Sequence, residues 1–192
     1  ALLAALSEPQ QQRLVQAADT IERLLGGARE PPSLLLRPHR PGDIGWIIQR
    51  HGALYAREYG WNAEFEALVA GIGAAFLRRH DPARERCWIA EKDGVNVGSV
   101  LLVGKSKTVA QLRLLLVEPE ARGFGIGRRL VGECVRFARE AGYRRVMLWT
   151  NSVLRAARRL YQEAGFRLVE EYPHHSFGHD LVGEIWALSL GR

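Results

Sequence analysis

A leucine-rich run breaks into three alternating glycines: Leu112-Arg-Leu-Leu-Leu-Val-Glu-Pro-Glu-Ala-Arg-Gly-Phe-Gly-Ile-Gly127. Residues 109–117 have the length and apolar character of a buried strand, and Pro119 ends it. From Gly125 to Ala141 the apolar residues recur at helical spacing. A strand, a sharp turn and a helix N-terminus therefore follow one another directly. Glycine lets such a turn adopt positive φ and lets backbone approach a ligand closely. The first N–H groups of the helix have no intrahelical partner and lie at the positive end of its dipole, which suits phosphate oxygens. Two common nucleotide-site spacings are disfavoured. A P-loop needs Lys-Ser/Thr after its last glycine, and here Arg128-Arg129 follow. The dinucleotide fingerprint needs GxGxxG and an acidic residue about 20 positions on. The glycines here are spaced GxGxG, with no acid near position 147.

Around this turn the chain alternates strand and helix signals. Residues 34–37 read as a strand, then 43–58 and 62–79 as helices, with Asn62 a cap for the second. Strands follow at 87–91 and 95–103, joined by the Asp93-Gly94 turn, and then at 109–117. After the helix at 125–141 come a strand at 145–150, a helix at 154–164 and strands at 166–172 and 183–190. The order βααβββαβαββ is mixed α/β. Ahead of it, residues 8–25 read as a helix capped by Ser7, stopped by Gly26-Gly27 and followed by a linker over 30–33. Residues 1–30 are thus an N-terminal helical appendage and linker, and 31–192 the main domain. The chain starts without Met and inside an apolar pattern, as a fragment or processed chain would.

With 27 Lys and Arg against 21 Asp and Glu, the net charge is +6 and the pI about 9.8, which suits an anionic partner. Arg122, Arg128 and Arg129 bracket the glycines, and that placement favours a phosphorylated cofactor. No apolar run reaches the roughly 20 residues of a spanning helix. The apolar opening stretch lacks a basic lead, so it is not read as a signal peptide. Two cysteines, Cys87 and Cys134, give no disulfide framework or zinc spacing. A cytoplasmic location is the expectation.

Arg122-Gly-Phe-Gly125-Ile-Gly127 fits the pattern Arg/Gln-x-x-Gly-x-Gly, and here the chain resembles the GNAT superfamily of N-acetyltransferases. Further on, Ala157-Arg-Arg-Leu-Tyr161-Gln-Glu-Ala-Gly165-Phe166 resembles that family's second signature, A-x-x-L-Y-x-x-x-G-F, in the correct order. The resemblance spans roughly residues 34–190. It implies a mixed, mostly antiparallel, splayed sheet with helices on both faces, and acetyl-CoA as cofactor without metal. Leu115, Leu116 and Val117 are then expected to pair with the pantetheine arm. Arg122, Gly123, Phe124, Gly125, Ile126, Gly127 and Arg128 would hold the pyrophosphate, and Asn151 and Ala157 would lie along the arm. Leu6-Ser-Glu-Pro-Gln-Gln-Gln-Arg-Leu14 resembles the last helix of MarR-type regulators, which some bacterial proteins carry fused ahead of an acetyltransferase.

Acetyl transfer to an amine needs a neutral amine, a donor for the developing oxyanion and a proton for the leaving thiolate. A backbone N–H near Val117 is the expected oxyanion donor. Tyr161 matches the family tyrosine expected to protonate the thiolate. The base is not fixed by the resemblance. The strand at 109–117 offers Gln111 and Arg113 on one face and Leu112, Leu114 and Leu116 on the other, none of them a base at neutral pH. Glu118 is the nearest carboxylate, with Glu64, Glu66 and Glu184 as alternatives. Tyr55, Tyr59 and Trp61 are expected to wall the acceptor pocket, or else to pack between helices. His174, His175 and His179 fall on one expected loop by the acceptor mouth, and a metal reading is set aside for want of partners at zinc spacing. The expected activity is acetyl transfer from acetyl-CoA to a primary amine by direct attack in a ternary complex. The rival is an acetyl-CoA-binding sensor module of a MarR-type regulator with little turnover. No direct nucleic-acid or membrane contact is expected, and the leading helix is a candidate surface for a homodimer.

Overall fold

The computed structural model describes residues 7–25 and 34–191. The chain divides into two units between residues 33 and 34. In the first, helix α1 (Glu8–Leu24) starts as its sequence dictates: the Gln10 carboxamide accepts from the Ser7 backbone N–H at 2.9 Å and from its hydroxyl at 3.0 Å. The stop at Gly26-Gly27 and the linker over 30–33 lie outside the described residues.

The second unit is built on seven strands: β1 (Leu34–Pro38), β2 (Arg86–Lys92), β3 (Val95–Gly104), β4 (Val109–Val117), β5 (Arg145–Asn151), β6 (Arg167–Ser176) and β7 (His179–Ser189). They form one sheet in the order β1-β2-β3-β4-β5-β7-β6, antiparallel throughout except for the parallel β4–β5 pair. Helices α2 (Asp43–Tyr59) and α3 (Ala63–Arg79) cover one face. Helix α4 (Ile126–Glu140), with α5 (Arg155–Glu163) beside it, covers the other. The helix ends follow local chemistry: Asn62 Oδ1 accepts from Glu64 N at 3.0 Å, and α2 begins after Gly42 and ends at Gly60, both left-handed. Among the described residues no helix is long and apolar enough to cross a membrane.

One buried ion cluster ties the sheet to α2. The Arg37 guanidinium on β1 donates to Glu91 on β2 at 2.7 Å, to Asp43 in the first turn of α2 at 2.6 Å, and to Asn96 on β3 at 3.1 Å. Burial would raise the Asp43 pKa, yet the Arg37 bond together with the Arg40 N–H and Asn96 holds it below its usual value. Arg37→Met would leave two carboxylates without their cation, so we expect a loss of about 3–5 kcal/mol, read from the urea midpoint. A loss under about 1 kcal/mol would show that the cluster carries little of the stability.

The sheet is parted where β4 meets β5. Their pairing stops at Leu112↔Leu148, although β4 stays paired with β3 as far as Val117↔Gly98, and β5 with β7 as far as Asn151↔Gly183. The cause is a bulge. The register of β3 on β4 shifts between Ser99 and Leu101, opposite Leu114, whose φ is +51°. Ser99 Oγ donates to Leu114 O at 3.1 Å and holds that carbonyl on the β3 side. Strict alternation, which would put Leu112, Leu114 and Leu116 on one face, therefore fails. Leu114 packs with the α2–α3 side, whereas Leu115 and Val117 pack with the α4 side.

The segment 174–180 is not a loop. β6 and β7 run on to Ser176↔His179 and close through a two-residue turn at Phe177 (φ +59°) and Gly178 (φ +81°). Phenylalanine tolerates left-handed backbone poorly. Its ring is buried against Trp61 and Phe65, and its N–H donates to Glu64 at 2.8 Å. That burial and bond offset the strain.

Candidate active site

A cleft of about 510 Å³ opens where β4 and β5 diverge. Leu115, Leu116 and Val117 form one wall, Arg122, Gly123, Gly125, Ile126, Gly127 and Arg128 the turn end, and Ala157 the opposite side. Gly123 (φ +87°) and Gly125 (φ +73°) shape the turn, and no side chain caps the first turn of α4. A Cβ on Gly127 would stand 2.8 Å from Leu160, so its lack of a side chain lets α4 approach α5. Such a cradle of uncapped N–H groups fits a diphosphate, and the unpaired strand edge at 113–117 fits an extended amide-bearing arm. The cations are held in exposed ion pairs: Arg122 with Glu58 at 2.8 Å, and Arg128 with Glu163 at 2.7 Å. Pairs of this kind are weak and exchange readily for an anionic ligand. Arg159, not singled out from sequence, lines the same cleft. Phe124 stands outside it, exposed, with the Lys92 ammonium 4.2 Å from its ring centre.

A second, small cavity of about 80 Å³ lies behind the cleft. Tyr55, Leu115, Leu154 and Ala157 line both, so the two adjoin. Tyr161 lines the inner cavity; it is buried, its hydroxyl makes no hydrogen bond among the described residues, and burial raises its pKa so that it stays protonated. Asn151, expected along the cofactor, lines this inner cavity instead, its Oδ1 accepting from His174 Nε2 at 2.8 Å. His174 Nδ1 in turn lies 2.9 Å from Ser176 Oγ, and His175 pairs with Asp180 at 2.7 Å. Tyr55 and Trp61 reach the inner cavity, but Tyr59 lines only the outer cleft. The three rings are 5.1–5.7 Å apart, so they form a wall and also pack together.

No carboxylate lines the inner cavity among the described residues. Both Glu118 oxygens accept from Arg50, at 2.6 and 2.8 Å, which fixes Glu118 as an anchor between β4 and α2 rather than bringing it to the cavity. Glu64 holds the Phe177 N–H. Glu184, fully buried, accepts from Trp186 Nε1 at 2.7 Å and faces Arg158 at 3.1 Å. The basic atom that the cavity does hold is on His51. Its Nδ1 lies 2.8 Å from Ile47 O; a carbonyl only accepts, so Nδ1 carries the hydrogen and Nε2 keeps its lone pair. That Nε2 is buried without a partner among the described residues. Burial pushes the imidazole pKa down to about 4, so it is neutral at pH 7. In the sequence His51 lies at helical spacing from Ile44, Ile47 and Leu54, so its position resembles that of a core residue.

The model of the acetyltransferase (GNAT) family matches residues 46–166. The chain is 28% identical over 140 residues to an uncharacterized N-acetyltransferase of Schizosaccharomyces pombe, covering 72% of this chain and 83% of that one. It is 39% identical over 105 residues to N-acetyltransferase 8B of Homo sapiens, covering 52% of this chain but only 42% of the human protein. A Salmonella typhimurium protein solved with acetyl-CoA as its cofactor shares the fold at a TM-score of 0.69 and 20% identity, over 83% of this chain and 95% of that one. With 121 of the 192 residues inside the family match, counting 46 through 166, the chain belongs to the acetyltransferase (GNAT) family.

Proposed function

We propose that this acetyltransferase moves the acetyl group of acetyl-CoA onto a primary amine by direct attack, with donor and acceptor held together on either side of the parted strands. The observation that carries the reading is the shared wall of Tyr55, Leu115, Leu154 and Ala157 between the cleft and a cavity that holds His51 and Tyr161. The turn from Arg122 to Gly127 and the first N–H groups of α4 hold the diphosphate, and Arg128 and Arg159 add positive charge at the cleft. The free edge of β4 binds the arm. When bound, the coenzyme supplies an acyl thioester, already activated toward an amine.

The chain's own groups do the rest. An imidazole with a pKa near 4 does not deprotonate an ammonium ion, so the amine enters neutral. His51 Nε2 accepts a hydrogen bond from it and takes its proton as the new C–N bond makes that proton acidic. Tyr161 donates its hydroxyl proton to the departing sulfur. The apolar wall excludes water, which would otherwise compete with the amine.

The thiols support direct attack. Cys87 and Cys134 are both fully buried, and burial raises both pKa values, so neither is a poised acyl carrier. Initial rates of thiol release, measured with both substrates varied, should give intersecting lines and no burst without amine. Parallel lines, or a stoichiometric burst, would refute direct attack. Binding of acetyl-CoA with no turnover on any amine would refute the transferase reading in favour of a sensor.

A further inference from the structure

Arg113 stands on β4 immediately past the last β4–β5 pair. It is half-buried and makes no hydrogen bond or ion pair among the described residues. Burial lowers its pKa, and no carboxylate opposes the shift. Among the described residues, Arg37 is matched by Asp43 and Glu91, Arg50 by Glu118 and Arg158 by Glu184, while the half-buried Arg84 donates to the Ala141 and Lys107 carbonyls and Arg86 lies over the Phe137 ring. A guanidinium partly removed from water without an anion is costly, and a fold that leaves one so placed has room for a ligand to complete it.

The surroundings say which ligand. Arg113, with Leu68 and Trp149, lies between the inner cavity and a third cavity of about 440 Å³. Lys105 and Gln111 also line that third cavity, and among the described residues no Asp or Glu lines either one. The coenzyme cleft shares neither Arg113 nor Trp149. An acceptor therefore has its own approach, past two cations and the apolar surface of Trp149, Met147 and Ile185.

We propose that the acceptor is an amino acid: a primary amine with a carboxylate a few bonds away, the carboxylate held by the Arg113 guanidinium and the amine directed into the inner cavity. This rests on the transferase reading above. The guanidinium fork matches a carboxylate bidentately, and Lys105 adds long-range attraction at the outer mouth. The side chain of the amino acid lies outward against Trp149, because the inner cavity has space for the amine and little more.

The test compares matched pairs that differ only in the carboxylate: phenylalanine with phenethylamine, leucine with isopentylamine, and phenylalaninamide as a neutral control. We expect kcat/KM for each amino acid to exceed that of its decarboxylated twin by about 100-fold. Arg113→Met should raise KM for the amino acid far more than it lowers kcat, and should close the gap between the twins. Retained calorimetric binding of acetyl-CoA by that variant keeps a folding defect apart. Twins acetylated equally well, or a variant that slows both alike, would overturn the proposal. A second measurement keeps it separate from the transferase reading. Phenylalanine and leucine, titrated into protein saturated with CoA, should give heat where their decarboxylated twins give none, whether or not turnover occurs. Absence of heat for the amino acids, or equal heat for both members of each pair, would overturn the carboxylate site. Turnover failing while those amino acids bind would overturn only the transfer chemistry.

Discussion

Tyr161→Phe should lower kcat for thiol release by roughly 10²- to 10⁴-fold, the usual contribution of a positioned acid, while acetyl-CoA affinity changes by less than about threefold. The substitution removes one oxygen and keeps the ring, which packs 6.0 Å from Phe166 within the α4-side core. Stability should therefore move little, because among the described residues the hydroxyl makes no hydrogen bond that the variant would lose. Burial, reinforced by the nearby Tyr55 and Cys134, raises the Tyr161 pKa, so the phenol stays protonated through the neutral range. It cannot act as a base there, but it can give a proton to a thiolate as the C–S bond breaks. The pH–rate profile should accordingly show no alkaline limb from this group below about pH 10. If kcat fell by less than about threefold, Tyr161 would be a packing residue and the acid would have to be sought elsewhere on the cavity wall.

How much of this was legible in the sequence depends on the range of the interactions. The glycine turn could be read because it is local: spacing, the strand before it and the helix after it set the geometry, and Gly123 and Gly125 do adopt positive φ. The element order was legible for the same reason. The bulge at Leu114 was not. Nothing in a run of leucines marks one residue as left-handed, and the shift is imposed from β3, where Ser99 holds the Leu114 carbonyl. The Phe177-Gly178 turn was missed because its strain is offset by burial against Trp61 and Phe65, over a hundred positions away in sequence. Glu118 misled for a related reason: proximity to the strand end made it the nearest carboxylate, but Arg50 of α2 occupies both of its oxygens. His51 and Arg113 are the opposite case. Each became notable only through what does not touch it, and an absent partner has no signature in a linear pattern.

His51→Leu should separate function from stability in opposite directions. Leucine fills similar space and removes the buried Nε2 that has no partner among the described residues, so stability at pH 7 should hold or rise. Turnover should nevertheless fall by about 10²-fold, with acetyl-CoA binding kept. The acid behaviour adds an independent sign. In the folded protein the His51 pKa is about 4, below the ordinary 6.5, because burial opposes the charged ring. The unfolded chain therefore binds a proton on this residue first as pH falls. The stability associated with a neutral His51 is complete above pH 6.5, is lost progressively as pH drops toward 4, and totals about 3 kcal/mol. Urea unfolding at pH 7, 6, 5 and 4.5 should show that decline in the wild type and a flatter dependence in His51→Leu. A variant that keeps full turnover and loses stability at pH 7 would instead make His51 a core residue. A variant that loses turnover and gains acid resistance would show that the fold carries an unpaired base where the amine must lose its proton.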